Sequence, residues 1–227
     1  MKILTIIPAR GGSKGIPHKN IKPLNGKPLI YYTIDCARAI CDDEDICVST
    51  DDAEIISVVE HYGLKVPFIR PAELATDTAG TYEVLLHAVN YYEQQGKHYD
   101  VVMLLQNTSP FRTTEHVKEA LRLYTPEVDM VVSVKESPAN PYYNVFEEDS
   151  NGFLHVSKGE GNIFRRQDAP KAYEYNGAIY IMNAEKLKKT HMHKMQKRVK
   201  YVMDEMSSFD LDTMTDWNIA ESIIKEK

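Results

Sequence analysis

Short runs of apolar, mostly branched residues recur along this chain with hardly a polar residue inside them: ILTII at 3–7, ICV at 46–48, VVMLL at 101–105 and MVVSV at 130–134. A strand that is apolar throughout must be covered on both faces, which is the environment of a parallel sheet between two helical layers. The intervening segments supply the helices. Leu29, Tyr32, Cys36 and Ile40 share one helical face, as do Tyr82, Leu85, Leu86, Val89 and Tyr92, and Val117, Ala120, Leu121 and Tyr124. Another helix is expected from near Asp51 and Asp52, and a further strand at 66–69. This alternation predicts an α/β fold with a doubly wound, mostly parallel sheet.

The alternation stops after Val134. Residues 135–162 hold two prolines, several asparagines, an Asn151-Gly152 turn signal and aromatic strand pieces, which read as an antiparallel excursion. Regular structure is expected again as a strand at 177–182, a helix at 183–189, a strand at 199–203 and a last helix with Trp217, Ala220 and Ile224 on one face. A length of 227 residues suits one domain over 1–227 with an insertion at about 138–175.

Charge narrows the function. The 27 Lys and Arg against 33 Asp and Glu are a poor fit to a nucleic-acid partner, whose footprint is basic. Yet Lys2, Arg10, Lys14, Lys19, Lys22 and Lys27 all precede the first acid, Asp35. Three cysteines, Cys36, Cys41 and Cys47, have no CxxC spacing and are expected to be reduced thiols packed as small hydrophobes. The opening apolar stretch is too brief for a signal peptide, and no wholly apolar run exceeds the five residues Val101–Leu105. A cytoplasmic protein with no membrane segment is therefore expected.

The first strand runs into ARGGSKGIPHKN at 9–20. In open α/β sheets ligands bind beyond the carboxyl ends of strands. Three glycines let backbone N–H groups turn toward one point, and Arg10, Lys14 and Lys19 add charge suited to several phosphate oxygens. The loop lacks both the GxGxxG fingerprint and the P-loop spacing, so hydride transfer and P-loop ATP hydrolysis lose their main support. Asp210 and Asp212, two apart on an extended stretch, point to one face as a Mg²⁺ pair would, although Thr213 and Asp216 also resemble a helix capping box. Gln106, Thr108 and Ser109 follow the apolar strand 101–105, so they should face the same crevice.

These residues carry a resemblance. IPARGGSKGIPHKNI, VSTDD at 48–52, RPAELATDTAGT at 70–81, LLQNTSPFR at 104–112, RRQDAPKAYEYNGAIYI at 165–181 and SFDLD at 208–212 are similar, in order, to the blocks of the acylneuraminate cytidylyltransferases, the CMP-sialic acid synthetase family. The resemblance covers nearly the whole chain. It implies a Rossmann-like nucleotidyltransferase in which the anomeric hydroxyl of a nine-carbon α-keto sugar acid attacks the α-phosphate of CTP, giving CMP-sugar and pyrophosphate, with one or two Mg²⁺ ions.

By that resemblance Arg10 and Lys19 hold the triphosphate, backbone amides from Ala9 through Gly11, Gly12 and Ser13 complete the cradle with Lys14 beside them, and Asn20, Arg70 and Ala79 contact the nucleotide. Gln106, Thr108, Ser109, Arg166, Gln167, Tyr173 and Tyr180 fall to the sugar acid, with Arg166 suited to a carboxylate or phosphate through its planar fork. Asp210 and Asp212 are the metal ligands, and Arg10, Lys19, Arg166 and Asp212 the catalytic set. Tyr180 alternates with Ile179 and Ile181, so a core tyrosine is an equally natural reading. The insertion would form a homodimer interface and reach the neighbour's site.

Two departures concern the sugar. Where the family commonly has LLQPTSPLR this chain has Asn107, and residues 140–144 read NPYYN. Both favour a legionaminate- or pseudaminate-type acid, bearing acylamino groups, over N-acetylneuraminate. His191-Met192-His193 resembles a metal pair but sits in a lysine-rich, solvated stretch. A 3-deoxy-octulosonate cytidylyltransferase, a nucleotide-sugar glycosyltransferase and a non-catalytic nucleotide-binding module are the competing readings.

Overall fold

The computed structural model describes residues 1–76 and 78–225. In chain order, β1 (Ile3–Pro8) leads through the glycine loop to a hairpin of β2 (Pro23–Leu24) and β3 (Lys27–Pro28), then α1 (Leu29–Arg38), β4 (Ile46–Ser49), α2 (Ala53–His61), α3 (Thr81–Gln94), β5 (Val101–Leu105), α4 (Thr114–Arg122) and β6 (Met130–Glu136). The excursion holds β7 (Phe146–Glu148) and β8 (Leu154–Val156). It is followed by β9 (Tyr173–Asn183), α5 (Ala184–Lys189), β10 (Arg198–Val202) and α6 (Met214–Lys225).

Six strands form the main sheet in the order β10-β6-β9-β5-β1-β4. β1 pairs in parallel with β4 and β5, and β10 with β6, while β9 runs antiparallel between β5 and β6. The sheet is therefore mostly parallel and mixed at β9.

Its two faces bury separate apolar layers. Ile7, Val48, Met103, Leu105 and Ile179 pack with Ile30 and Ile34 of α1, Val59 of α2 and Val117 of α4. Ile6, Cys47, Val102, Leu104 and Tyr180 pack with Leu85, Ala88 and Val89 of α3 and Leu187 of α5. Alternate residues along each strand thus serve opposite helical layers, as the unbroken apolar runs require. A third cluster, Ile16, Leu24, Leu29, Leu211, Trp217 and Ala220, locks the glycine loop and the β2–β3 hairpin to α6. Trp217 is fully buried there, so truncation to Ala should cost about 3–5 kcal/mol and loosen the loop itself.

Helix starts follow local chemistry. Asp52 accepts hydrogen bonds from the Glu54 and Ile55 amides and starts α2, and Asn183 accepts from the Lys186 amide and starts α5. Thr113 and His116 cap α4 reciprocally, and Thr213 and Asp216 form the expected capping box.

The strand expected at 66–69 is absent as an element; only a single bridge joins Ile69 to Thr50. Pro67 has no N–H for a ladder, and although Val66 is buried, Ile69 is 71% exposed, so the run lacks the hydrogen bonds and the continuous burial of a sheet strand. The hairpin β2–β3, with strands of two residues each, leaves no periodic signal in the sequence. It turns through Asn25 and Gly26, both at positive φ (49° and 78°), the conformation an Asn-Gly pair adopts readily. The turn expected at Asn151-Gly152 does form, joining β7 to β8, with Gly152 at φ 84° and the Gly152 amide donating to the Asp149 carbonyl. Among the described residues no helix is long and apolar enough to cross a membrane.

Candidate functional site

The glycine loop leaves β1 at the carboxyl edge of the sheet and is braced from several directions. Gly15 packs its Cα on the chain at Asp212, where a Cβ would fall 2.0 Å from the carbonyl oxygen, so no other residue fits without moving backbone. Lys19 Nζ donates to the Leu211 carbonyl at 2.8 Å and lies 3.6 Å from Asp212 Oδ1. The Leu211 amide in turn donates to the Thr108 carbonyl at 2.9 Å. One seam therefore joins the loop, the segment at 208–212 and the end of β5.

The loop, the end of β5 and the stretch from Arg70 to Val84 line a cavity of about 280 Å³. Of the expected nucleotide residues, Arg10, Ser13, Lys19, Asn20, Arg70 and Ala79 line it; of the expected sugar residues, Gln106 and Thr108 do. A neighbouring cavity of about 200 Å³ shares Arg10, Ser13, Lys19 and Asn20 and adds Gly11, Gly12, His18 and Asp52. Residues far apart in sequence thus meet at one place, and Arg10 and Lys19 of the loop face it. Asp210 and Asp212 stand behind Lys19 and Thr108 and line neither cavity. Asp77, inside the RPAELATDTAGT block, lies outside the described residues.

Four nucleotide residues differ from expectation in detail. The Ala9 amide is committed to the Ser49 carbonyl at 2.9 Å, extending the β1–β4 pairing, so Ala9 supports the cradle without contributing its N–H. The Gly11 amide donates to the Asp51 carboxylate at 3.0 Å. Arg70 is buried, and its guanidinium donates to Ser49 Oγ at 3.1 Å, to the Ser49 carbonyl and to the Leu74 carbonyl at 3.4 Å. Burial lowers the Arg70 pKa and nearby Arg10 adds to the effect, against the Asp51 carboxylate. Arg70 therefore shapes the cavity wall as well as charging it. Lys14 is exposed and lines neither cavity.

The carboxylate pair stands at the seam. Asp210 reaches solvent, yet the protein around it displaces enough water to raise its pKa. The Asp212 charge raises it further, while Thr108 and Lys19 hold it down. Two hard oxygen donors whose charges interact, beside a cavity lined by cations, suit a divalent ion shared with phosphate oxygens. Among the described residues no group of three or more His, Cys, Asp and Glu could hold a metal unaided. The pair thus fits Mg²⁺ only in the manner typical of Mg²⁺–triphosphate sites, where the substrate completes the ligand set. His191 and His193, with rings stacked 5.3 Å apart, line neither cavity.

The sugar residues divide. Gln106 sits against Gly177, where a Cβ would lie 3.6 Å from Gln106 Oε1 and where φ is 76°. Tyr180 is buried among the layer on α3, and burial, then Tyr175 and Asp210, push its pKa up to about 12; it is first a core residue. Ser109 is buried with an unpartnered hydroxyl outside the cavity lining. Arg166 and Gln167 lie on an exposed turn of the excursion, and Tyr173, partly exposed, packs under Lys200 Nζ at 4.8 Å. None of these three lines either cavity.

Sequence reasoning gives Arg112 no role, and it marks Asn107 only as a departure near the sugar acid, without its link to the nucleotide end. Arg112 is 4% exposed and donates to the Gln106 carbonyl at 2.7 Å, the Ala178 carbonyl at 2.9 Å and Thr33 Oγ1 at 2.8 Å, fixing the end of β5 to β9. Asn107 bridges the Pro8 carbonyl and Asn20. An amide two residues and a cation seven residues beyond a wholly buried strand were the available signal, because polar groups that pack back against its end need partners inside the protein or in a ligand.

The geometry agrees with what this chain is similar to. The cytidylyltransferase family profile matches residues 4–226. CMP-N,N'-diacetyllegionaminic acid synthase of Legionella pneumophila is 34% identical over 226 residues, covering 99% of this chain and 97% of that protein. N-acylneuraminate cytidylyltransferase of Streptococcus agalactiae is 38% identical over 220 residues, 96% of this chain, and this chain spans 52% of that protein's length. A solved structure of CMP:2-keto-3-deoxy-manno-octonic acid synthetase complexed with CTP has the same fold, with a TM-score of 0.71 at 16% identity over 100% of this chain and 99% of that one.

Proposed function

This chain belongs to the cytidylyltransferase family, and on that premise we propose that it transfers the cytidylyl group of CTP to the anomeric hydroxyl of a nonulosonic sugar acid. The observation that carries the reading is the convergence of Arg10, Lys19, Asn20, Arg70 and Ala79 with Gln106 and Thr108 on one cavity, next to the Asp210–Asp212 pair.

The anomeric oxygen bonds to the α-phosphorus as the bridging bond to the β-phosphate breaks. Pyrophosphate leaves with that electron pair, and the hydroxyl proton is released. Such a reaction is served chiefly by placement and charge stabilisation. Arg10 and Lys19 neutralise the triphosphate, and the Gly12 and Ser13 amides orient it, with Gly11 joining once its N–H leaves Asp51. Asn20 and Ala79 hold the nucleoside, and Arg70 supports them from the wall. Gln106 and Thr108 meet the sugar acid. Asp210 and Asp212 would hold one or two Mg²⁺ ions, which when bound supply further positive charge to the phosphate oxygens.

Arg166, Gln167 and Tyr173 enter the reading through a homodimer in which the excursion of one copy serves the site of the other. Its surface supports this: Phe153, Leu154 and Phe164 are exposed, and Phe164 is 81% so. For the sugar acid, a legionaminate- or pseudaminate-type substrate is favoured. The Legionella relative, named for a diacetylated legionaminic acid, matches this chain end to end.

The test is pyrophosphate release from CTP and Mg²⁺ with legionaminate, pseudaminate, N-acetylneuraminate and 3-deoxy-octulosonate in turn. Turnover is expected with a diacylamino acid. A preference for N-acetylneuraminate would remove the substrate assignment, a preference for the octulosonate would remove the nonulosonic reading, and CTP binding without turnover on any acid would leave a nucleotide-binding module. Sedimentation of the purified protein tests the dimer.

A further inference from the structure

Asn107 is 3% exposed and still lines the cavity. Its Nδ2 donates to the Pro8 carbonyl at 3.2 Å and to Asn20 Oδ1 at 3.2 Å. A carbonyl can only accept, so Pro8 dictates which end of the Asn107 amide faces it. Asn20 is oriented in the same way, because its Nδ2 donates to the Arg10 carbonyl at 2.9 Å. Two backbone carbonyls on either side of the start of the glycine loop therefore fix both amides.

This arrangement turns Asn107 Oδ1 away from Pro8 and Asn20 and leaves it buried with no hydrogen-bond partner among the described residues. The next residue, Thr108, also lines the cavity, and its side chain stands beside the Asp210 carboxylate. Buried amide oxygens are nearly always satisfied, and on a residue that lines the cavity a bound molecule is the source of the donor that the chain itself does not supply.

We propose that Asn107 is a substrate-contacting specificity residue whose Oδ1 accepts a hydrogen bond from an N–H or O–H donor of the bound substrate, while its Nδ2 holds Asn20 with an N–H available to the nucleotide. The proposal rests on the cytidylyl-transfer reading of this cavity. The donor belongs either to CTP, as a base amino group or ribose hydroxyl, or to the sugar acid, as an acylamino N–H or hydroxyl. A site arranged around such a contact discriminates against analogues that lack the donor.

The experiment compares the full-length protein with Asn107→Ala by calorimetric binding of CTP, UTP and sugar acids with and without acylamino groups, alongside steady-state kinetics. The variant should lose about tenfold in affinity for one substrate and keep the other within about twofold. It should also lose discrimination between that substrate and its donor-free analogue. A loss confined to CTP over UTP identifies the base amino group as the donor, and a loss confined to acylamino sugar acids identifies that group. Both affinities staying within about twofold would overturn the proposal. So would equal weakening of both with a lowered Tm, which marks a purely structural prop. Asn107→Ser gives the same readout if the alanine protein does not fold. Absence of pyrophosphate release by the wild-type protein would sink the cytidylyl-transfer reading instead, and the binding measurements would still decide the role of Asn107.

Discussion

The nucleotide end and the sugar end of this protein are built differently. At the nucleotide end several cavity residues are tied down by the same chain, Lys19 to Leu211, Asn20 to Arg10 and Asn107, and Arg70 to Ser49, and the loop itself is pressed at Gly15 against Asp212. At the sugar end the backbone carbonyls of Gln106 and Thr108 accept from Arg112 and from the Leu211 amide, but Arg166 and Gln167 lie on an exposed turn flanked by the Arg165–Asp168 ion pair at 2.7 Å. The difference follows from what each ligand demands. A triphosphate transition state is stabilised by dipoles and charges that are already in place, because reorganising them during reaction costs what they would contribute. A sugar acid can be gripped by a segment that arrives from elsewhere, and the excursion carrying Arg166 also carries the exposed aromatics.

The strongest way to break this contrast is at the seam between the ends. Asp212→Asn removes one of two metal carboxylates from an exposed position, and kcat/KM should fall about 10³-fold with Mg²⁺ dependence lost. Its Tm should remain near the wild-type value, since the side chain is 73% exposed and its contact with Lys19 is solvent-screened. Pyrophosphate release against Mg²⁺ concentration measures this. Retained Mg²⁺-dependent turnover would make the Lys19–Asp212 contact purely structural.

Arg10→Ala should cost about 10²-fold in kcat/KM for CTP while the KM for the sugar acid stays within about twofold. Saturation curves in each substrate separate the two. Equal effects on both substrates would mean that the ends are one site and that the contrast between them is false.

How much of this could be read from the chain depends on whether its cause was local. The run at 101–105 is a strand with every residue buried, because continuous apolarity is a local property with one structural outcome. The loop at 9–20 announced itself by glycine and charge together. The run at 66–69 misled because Pro67 weakens it in a way that hydropathy does not register. The hairpin at Asn25-Gly26 has the right turn residues, yet strands of two residues produce no periodicity. The pairing of Asn107 with Asn20 joins positions 87 residues apart, and Arg112 meets Ala178 across 66. No local pattern encodes such contacts, so the residues that hold the cavity in shape emerged only from the fold.

Arg166→Ala sharpens the sugar end. If Arg166 of a second copy meets the sugar carboxylate, the sugar KM should rise about tenfold or more, the scale of a charged hydrogen bond, while the CTP KM does not change. Because Arg166 is exposed in the single chain, stability should be unaffected. A rise in the CTP KM instead would move Arg166 to the phosphates, and no effect on either substrate would return it to the surface.

The smallest expected effect concerns Tyr180, which could belong to either description. It stands on β9 between Leu104 of β5 and Val132 of β6 and packs in the α3-side layer with Tyr175 edge-on at 6.0 Å. Its hydroxyl lies close enough to Asp210 for that carboxylate to contribute to its raised pKa, after burial and Tyr175, so proximity to the seam alone would place it in the site. Packing argues the other way, because the ring fills core volume that phenylalanine would fill equally well. Tyr180→Phe should therefore keep both KM values within about twofold and lower stability by less than about 1 kcal/mol. A tenfold rise in the sugar KM with unchanged Tm would instead make the hydroxyl a ligand contact. The tied-down wall of the cavity would then extend across β9, and less of the sugar end would depend on the excursion.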